Sequence, residues 1–176
     1  MKTNNFNYLL SYISSSAQEI YPTNSFYSVS EKEVQEAERR LGYQFPSQLR
    51  NFYQEVGYGF LQAPHEPPSN YKFFNINRIN SPRTIADIIQ LGHESGYISE
   101  EALECMEPGD LPFFEISDSS SFLVMRPKSD NPNAIYSDTG VLIEHEFNRF
   151  IWRLYYESPC YFERIIEAHY AALDQE

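Results

Sequence analysis

The twenty residues from Gly42 to Leu61, GYQFPSQLRNFYQEVGYGFL, constrain the fold of this chain more than any other stretch. Pro46 suits the first turn of a helix, because the N–H that proline lacks would have no partner there. Four side chains then fall on one face at helical spacing: Leu49, Phe52, Tyr53 and Val56. Gly57 can adopt the left-handed conformation that ends a helix, and Gly59 allows a further turn. The stretch holds no nucleophile, base or metal-binding cluster, so it predicts a scaffold helix and no active site.

Helical periodicity predicts further helices on both sides of this stretch. The first lies near the N-terminus and would bury six apolar residues: Phe6, Leu9, Leu10, Ile13, Ala17 and Ile20. The second begins at a capping box formed by Ser30 and Glu33. We expect it to bury Val34, Ala37 and Leu41 and to expose Glu38 on its charged face.

The later helices are predicted from their caps and apolar spacing. Ser81-Pro82 opens a helix whose expected buried residues are Ile85, Ile88, Ile89 and Leu91. Ser99 caps a short helix that runs to Met106. The penultimate helix carries Phe147, Phe150, Ile151 and Leu154, and the last starts at Ser158-Pro159 and buries Phe162, Ile165, Ile166 and Leu173.

Strands are predicted mainly between these two groups of helices. Tyr71–Ile79 has strand character and follows a proline-rich loop at residues 62–70. The apolar runs Leu111–Ile116 and Phe122–Arg126 form a hairpin around SDSSS. A second pair, Ala134–Tyr136 and Val141–Ile143, turns at Asp138-Thr139-Gly140. This order predicts a single-domain α+β fold with a mixed, mostly antiparallel sheet flanked by helices.

The charge balance restricts the classes of partner. The chain has 25 acidic and 13 basic residues, a formal net charge of −12, and no run of Lys or Arg. Nucleic acid and anionic membranes would repel it, whereas a basic protein would be attracted. We therefore expect no nucleic-acid partner, no membrane partner and a cytoplasmic location. The N-terminus lacks the continuous apolar centre of a signal peptide, and a reduced state of Cys105 and Cys160 is the simpler expectation.

The acidic residues concentrate in the middle of the chain. Between Thr84 and Met125 there are nine carboxylates and no Lys or Arg: Asp87, Glu94, Glu100, Glu101, Glu104, Glu107, Asp110, Glu115 and Asp118. Such a run is ordinarily a solvated face, but clustered like charges repel one another and a cationic partner relieves the repulsion. Our expected partner-binding residues are Glu94, Glu100, Glu101, Glu104, Glu107, Asp110 and Asp118. Tyr58 and Tyr71, beside the proline-rich loop, are a second choice.

Several of these segments together resemble the SUKH superfamily, which includes yeast cell-wall glucan-synthesis regulators. The resemblance rests on VSEKEVQEAERRLGYQFPSQLRNFYQEVGYGF, followed by LPFFEISDSSSFLVMRP, AIYSDTG and EFNRFIWRL. It covers roughly residues 28–157 and departs from the family pattern at Tyr58, which separates Gly57 from Gly59. Accordingly, we divide the chain into an N-terminal helical extension, residues 1–27, and a SUKH-like domain, residues 28–176.

This resemblance implies a function as well as a fold. It implies that the chain, like most bacterial members, is an immunity protein that binds and silences a toxin, commonly a nuclease or another enzyme acting on nucleic acid or protein. The resemblance therefore predicts a non-enzymatic protein that neutralises a cognate toxin, with an acidic surface against a basic one. Since a minority of relatives regulate cell-wall synthesis or signalling, a regulatory or scaffold role stays open as an alternative.

Enzymatic and metal-binding alternatives have weaker support from the residues. Asp138-Thr139-Gly140 has the letters of an aspartic-protease motif, but one copy between two short strands favours a hairpin turn. The histidines, at positions 65, 93, 145 and 169, have no ligand spacing, and no glycine-rich nucleotide motif is present. A hydrolase built on Asp138 or on a Cys–His pair remains the third hypothesis. We expect no catalytic residue, no metal and no cofactor.

Overall fold

The structure is a computed structural model, and it describes residues 5–14, 24–61, 77–117 and 120–174 of the 176. Within these ranges the α-helices are α1 (Glu31–Leu41), α2 (Ser47–Glu55), α3 (Pro82–Leu91), α4 (Glu100–Cys105), α5 (Phe147–Tyr156) and α6 (Tyr161–Leu173). Two 3₁₀ helices lie at Asn7–Tyr12 and Gly92–Ser95. The proline-rich loop at 62–70, Tyr71 and Asp118 lie outside the described residues.

The strands form a single sheet in which their spatial order equals their order along the chain. They are β1 (Ile13–Ser14), β2 (Ser25–Tyr27), β3 (Tyr58–Phe60), β4 (Arg78–Ile79), β5 (Leu111–Ser117), β6 (Ser121–Met125), β7 (Ile135–Ser137) and β8 (Leu142–Glu144). Strands β1 and β2 are parallel, and every later pair is antiparallel. The predicted α+β class with a mixed, mostly antiparallel sheet is confirmed.

The main core is built from phenylalanine rings that come from both ends of the chain. Phe147 of α5 contacts Phe52 of α2 at a centroid distance of 5.4 Å and Phe113 of β5 at 5.6 Å. Phe6, which precedes the first 3₁₀ helix, lies 4.9 Å from Phe52 and is fully buried. The described N-terminal residues therefore pack into the same core as the family-like part of the chain.

Positions 57 and 59 require glycine for two reasons. The backbone there is in close contact with β2, and both residues have a backbone conformation that favours glycine. Both have positive φ, 112° and 143°. A Cβ atom on Gly57 would lie 1.9 Å from the carbonyl oxygen of Tyr27, and one on Gly59 would lie 2.1 Å from that of Ser25. The prediction of a further turn at Gly59 is wrong, because Gly59 lies within β3 and pairs with Phe26.

Over residues 5–14 the predicted N-terminal helix is wrong in type, whereas its expected buried residues Ala17 and Ile20 lie outside the described residues. Residues Asn7–Tyr12 form a 3₁₀ helix, and Ile13 begins strand β1. Leu10, expected in the core, is 38% exposed. The apolar spacing in such a segment does not distinguish one continuous helix from a short helix followed by a strand at the edge of the sheet.

Some burial predictions for the other helices are reversed by tertiary packing. Glu38, expected on the solvated face of α1, is 8% exposed. Its carboxylate accepts hydrogen bonds from the Phe45 backbone N–H at 3.0 Å and from Arg50 Nε at 3.1 Å. The expected core residues Ile89, Leu91 and Leu173 are instead exposed, because each helix presents a narrower face to the core than its apolar pattern suggests.

A second, smaller core lies beneath α4. It consists of Ile88 from α3, Ile98 just before α4, Ala102 from α4 and Phe122 from β6, with Leu103 and Met106 packed against it. Phe122 is fully buried although it neighbours Leu123 of the main core, since adjacent residues of a strand point to opposite faces. The small core therefore fixes α4 against one face of the sheet.

Candidate partner-binding surface

Eight of the nine carboxylates of the acidic middle lie in the described residues, and they separate into a buried or half-buried group and an exposed group. Asp87, Asp110 and Glu115 form ion pairs, with Arg40 and Arg83, with Arg126, and with Arg78 respectively. Glu94, Glu100, Glu101, Glu104 and Glu107 are exposed along the second 3₁₀ helix, α4 and the turn that follows it. The structure thus brings together five of the seven predicted acidic residues on one segment.

Helix α4 orients three of these carboxylates outward. Its N-cap is Ser99, whose hydroxyl accepts a hydrogen bond from the Ala102 backbone N–H at 3.2 Å. Because Ala102 is buried in the small core, Glu100, Glu101 and Glu104 lie on the solvent side. Glu100 and Glu104 are four residues apart, a spacing at which like charges on a helix repel each other. A cationic group placed against this face would relieve that repulsion.

Exposed apolar side chains accompany the acids at this end of the molecule. Leu91, the last residue of α3, is 50% exposed, and Tyr97, just before α4, is 39% exposed. Acidic side chains around exposed apolar ones match the composition of a protein–protein interface, where an apolar centre is surrounded by polar groups. We name the exposed segment from Leu91 to Glu107 the α4 surface.

Asp110 has a different place from the other predicted acids, because it points inward. Its side chain accepts hydrogen bonds from Arg126 Nε at 3.0 Å and from the Glu107 backbone N–H at 3.1 Å. Burial raises the pKa of Asp110, although both hydrogen bonds favour its charged form. The guanidinium of Arg126 also lies 3.1 Å from the Glu107 carboxylate and 4.7 Å from the Tyr136 ring centre. Asp110 therefore positions the turn that carries Glu107.

Of the two predicted aromatic residues, Tyr58 is described and Tyr71 is not. Tyr58 lies in β3, half-buried, with its ring centre 5.5 Å from that of Tyr27 on the paired strand. Burial raises the pKa of Tyr58, and the nearby charge of Glu33 adds to this effect. Tyr58 thus belongs to a cross-strand pair at some distance along the sheet from β5 and β6, which support the α4 surface.

The turn at Asp138 has the geometry expected of a hairpin. Gly140 has a positive φ of 87°, and its backbone N–H donates to the Ser137 carbonyl at 3.0 Å. Asp138 accepts hydrogen bonds from the Thr139 backbone N–H at 2.9 Å and from the Ser121 hydroxyl at 3.4 Å. The prediction of a turn between two strands is confirmed.

No group of three or more His, Cys, Asp or Glu residues in the described part of the chain could hold a metal ion. None of the described helices combines the length and hydropathy that a bilayer crossing requires. Cys105 and Cys160 are not joined by a disulfide bond.

Sequence reasoning missed the residues that organise the α4 surface. Arg126 is the first basic residue after the stretch that contains no Lys or Arg. Its position next to that stretch was the sequence signal that it neutralises acids there. The exposure of Leu91 had no signal in the sequence, because its spacing continues the buried stripe of α3.

The sequence of this chain is similar to those of known proteins. A model of the SMI1 / KNR4 family (SUKH-1) matches residues 28–153. The chain is also similar to a protein named immunity protein YxxD from Bacillus subtilis (strain 168), with 35% identity over 114 residues, which cover 64% of this chain and 71% of that protein. No solved structure matches the chain. The family match extends from α1 to the middle of α5 and leaves the first 3₁₀ helix and α6 outside.

Proposed function

The chain belongs to the SMI1 / KNR4 family (SUKH-1), as its sequence motifs predicted, and we propose that it is an immunity protein that binds and neutralises a cognate bacterial toxin. The similar protein from Bacillus subtilis is named an immunity protein, and the similarity covers 71% of its length. The proposal extends that role to this chain and assigns the contact to the α4 surface.

The observation that carries the proposal is the outward orientation of Glu100, Glu101 and Glu104 on α4. Their helix is held by a small core and capped by Ser99, so the charges are presented on a supported element. In the sequence between Thr84 and Met125 there is no Lys or Arg to neutralise them. A preorganised charged face accelerates association with a partner of opposite charge and penalises partners of like charge.

This chemistry favours a basic toxin domain, and a nuclease is the expected type. A nuclease must attract phosphate groups and therefore presents Lys and Arg along its substrate groove. An acidic protein that occupies such a groove blocks the substrate by charge and by volume. Because a nuclease-type toxin attacks nucleic acid inside the cell, the neutralising protein would act in the cytoplasm. The proposed mechanism is binding alone, without a catalytic step.

Co-expression with candidate toxins tests the proposal. Toxin-type domains encoded in neighbouring reading frames would be induced in a bacterial host with and without this chain. We expect growth arrest by one such domain, restored growth when the chain is present, and an equimolar complex on size-exclusion chromatography. The purified complex should also lose the toxin's nucleolytic activity.

Two results would contradict the proposal. Failure of the chain to restore growth with any neighbouring toxin domain would remove the immunity role. Stable association with cell-wall or signalling machinery in place of a toxin would favour the regulatory alternative that the family resemblance left open.

A further inference from the structure

A cluster of five aromatic side chains lies where α5 meets the first 3₁₀ helix, away from the α4 surface in sequence. It consists of Tyr8, Tyr12, Trp152, Tyr155 and Tyr156, and we name it the aromatic platform. Ring centres are 5.2 Å apart for Trp152 and Tyr156, 4.7 Å for Tyr155 and Tyr156, and 5.1 Å for Tyr8 and Tyr155. The rings thus form one continuous group across two segments that are separated by most of the chain.

Two rings of the platform are exposed, and the other three are half-buried and support them. Trp152 is 45% exposed and Tyr156 is 52% exposed, whereas Tyr8, Tyr12 and Tyr155 are half-buried against the main core. The Tyr12 and Tyr155 hydroxyl groups are 3.2 Å apart, within hydrogen-bonding distance. The half-buried rings therefore support the two exposed ones. Trp and Tyr are enriched among the residues that contribute most of the binding free energy at protein interfaces.

The platform lies mostly outside the part of the chain that matches the family. The match covers residues 28–153, so Tyr8 and Tyr12 precede it and Tyr155 and Tyr156 follow it. Trp152 is next to the last matched residue. These five side chains consequently form a surface built largely from segments outside the family match.

We propose that the aromatic platform is a second docking surface for the toxin, and that Arg or Lys side chains of the toxin stack on Trp152 and Tyr156. This inference rests on the proposed function and adds to it a specificity surface distinct from the α4 surface. A cation over an indole or phenol ring is attracted by the ring's negative face, most strongly for tryptophan. The formal net charge of −12 favours the approach of a basic partner.

Within the described part of the chain the same interaction occurs three times, and the longest places Lys128 Nζ 5.8 Å from the ring centre of Tyr43. The guanidinium of Arg153 lies 3.9 Å from the ring centre of Tyr161, and that of Arg126 lies 4.7 Å from the ring centre of Tyr136. Among the described residues, no Lys or Arg lies over the ring of Trp152 or Tyr156 in this way. The two most exposed rings of the platform are therefore available to a cation from a partner.

The chain's single tryptophan supplies a direct test. Incorporation of fluorotryptophan into this chain alone gives one fluorine NMR signal, which reports on Trp152. The probe is the purified toxin domain that the chain neutralises in the growth assay. We expect the signal to shift on addition of toxin, and Trp152→Ala and Tyr156→Ala each to raise the Kd about 10- to 100-fold. Trp152→Phe, which keeps an aromatic ring, should recover part of the affinity.

The matched control is Tyr170→Ala, since Tyr170 is 42% exposed on α6 and its hydroxyl group contacts Thr139 instead of the platform. If the wild-type chain binds the toxin, but the fluorine signal does not move and the Trp152 and Tyr156 variants bind as Tyr170→Ala does, the platform inference is overturned and the immunity role stands. If the wild-type chain neutralises no toxin, both are overturned. A shift caused instead by protein concentration alone, or by phospholipid vesicles, would assign the platform to self-association or to a lipid surface and overturn the inference.

Discussion

Asp110 and Arg126 join the residue that precedes β5 to the residue that follows β6, with Asp110 Oδ1 and Arg126 Nε 3.0 Å apart. The Asp110 side chain is 2% exposed and that of Arg126 is 24% exposed. Through the Glu107 backbone N–H, this pair also fixes the turn after α4. The conformation of the α4 surface consequently depends on the carboxylate of Asp110, which is buried and is not part of that surface.

Replacement of Asp110 by Ala should destabilise the protein. The change leaves the Arg126 guanidinium without its buried partner, which we expect to cost about 2 to 4 kcal/mol in free energy of unfolding. Urea unfolding followed by circular dichroism measures the difference. Asp130→Ala is the control, because Asp130 is exposed. An equal effect of the two substitutions would show that the Asp110–Arg126 pair does not hold the turn.

Gly57→Ala should be far more damaging than Gly96→Ala. Both glycines have positive φ, so both variants carry the backbone cost of a left-handed residue, about 1–2 kcal/mol. Only at Gly57 would the new Cβ also lie 1.9 Å from a carbonyl oxygen, whereas nothing lies within 4 Å at Gly96. We expect Gly57→Ala to lower the free energy of unfolding by at least about 3 kcal/mol, measured by thermal and urea unfolding. Similar losses for both variants would mean that β2 and β3 can separate at little cost.

Charge reversal tests the α4 surface. The triple variant Glu100→Lys, Glu101→Lys, Glu104→Lys should slow association with the toxin and weaken the dependence of the rate on salt concentration. Surface plasmon resonance at several salt concentrations measures both effects. The control, Glu146→Lys, Glu167→Lys, Asp174→Lys, changes the net charge equally at exposed acids elsewhere. If the two triple variants behave alike, the net charge of the chain matters and the α4 surface has no special part.

Phe6→Ala should show whether the N-terminal segment belongs to the folded core. Phe6 is fully buried against Phe52, and truncation of such a ring costs about 3–5 kcal/mol. Leu10→Ala provides the comparison within the same segment, since Leu10 is 38% exposed and should be near neutral. The midpoint of urea unfolding distinguishes the two. A negligible effect of Phe6→Ala would mean that residues 28–176 fold without help from the extension.

Stability should fall in alkaline solution. A hydrogen bond with Tyr12 raises the pKa of Tyr155 from 10.0 to about 12, and burial adds to the increase. In the unfolded chain a tyrosine loses its proton near pH ~10. Between these values the unfolded state binds fewer protons, so the stabilisation is complete below pH ~10 and is lost as the pH rises through about 12.

The urea midpoint, measured from neutral to alkaline pH, checks this dependence. Tyr155→Phe should reduce the loss, and Tyr97→Phe, at an exposed position, should not. A midpoint that is constant through pH ~11, or a loss that Tyr155→Phe leaves unchanged, would contradict the expected role of the Tyr12–Tyr155 contact.

Local signals in the sequence predicted most of the fold correctly. The capping box of Ser30 and Glu33 is present with both reciprocal hydrogen bonds, and the hairpin around SDSSS joins β5 to β6. The burial of Glu38 was not predicted, because its hydrogen-bond partners, Phe45 and Arg50, contact it only after the chain reverses at Gly42. Such partners are invisible to a periodicity argument.

The candidate surfaces show the same division between local and distant information. The acidic run was evident in the sequence, but its separation into outward and inward carboxylates was not, because Asp110 is held inward by Arg126, which lies 16 positions away. The aromatic platform could not be predicted, because Tyr12 and Tyr155 are 143 positions apart and meet only in the folded chain.

The order of the strands has a consequence for how the protein is made. Since each antiparallel strand pairs with its predecessor, the sheet can assemble by successive additions while the ribosome is still extending the polypeptide. Helix α5 emerges afterwards and supplies Phe147 and Phe150, which close the interior over strands already paired. For the toxin-neutralising role proposed above, rapid folding is an advantage, and pairing between strands that are neighbours in sequence favours it.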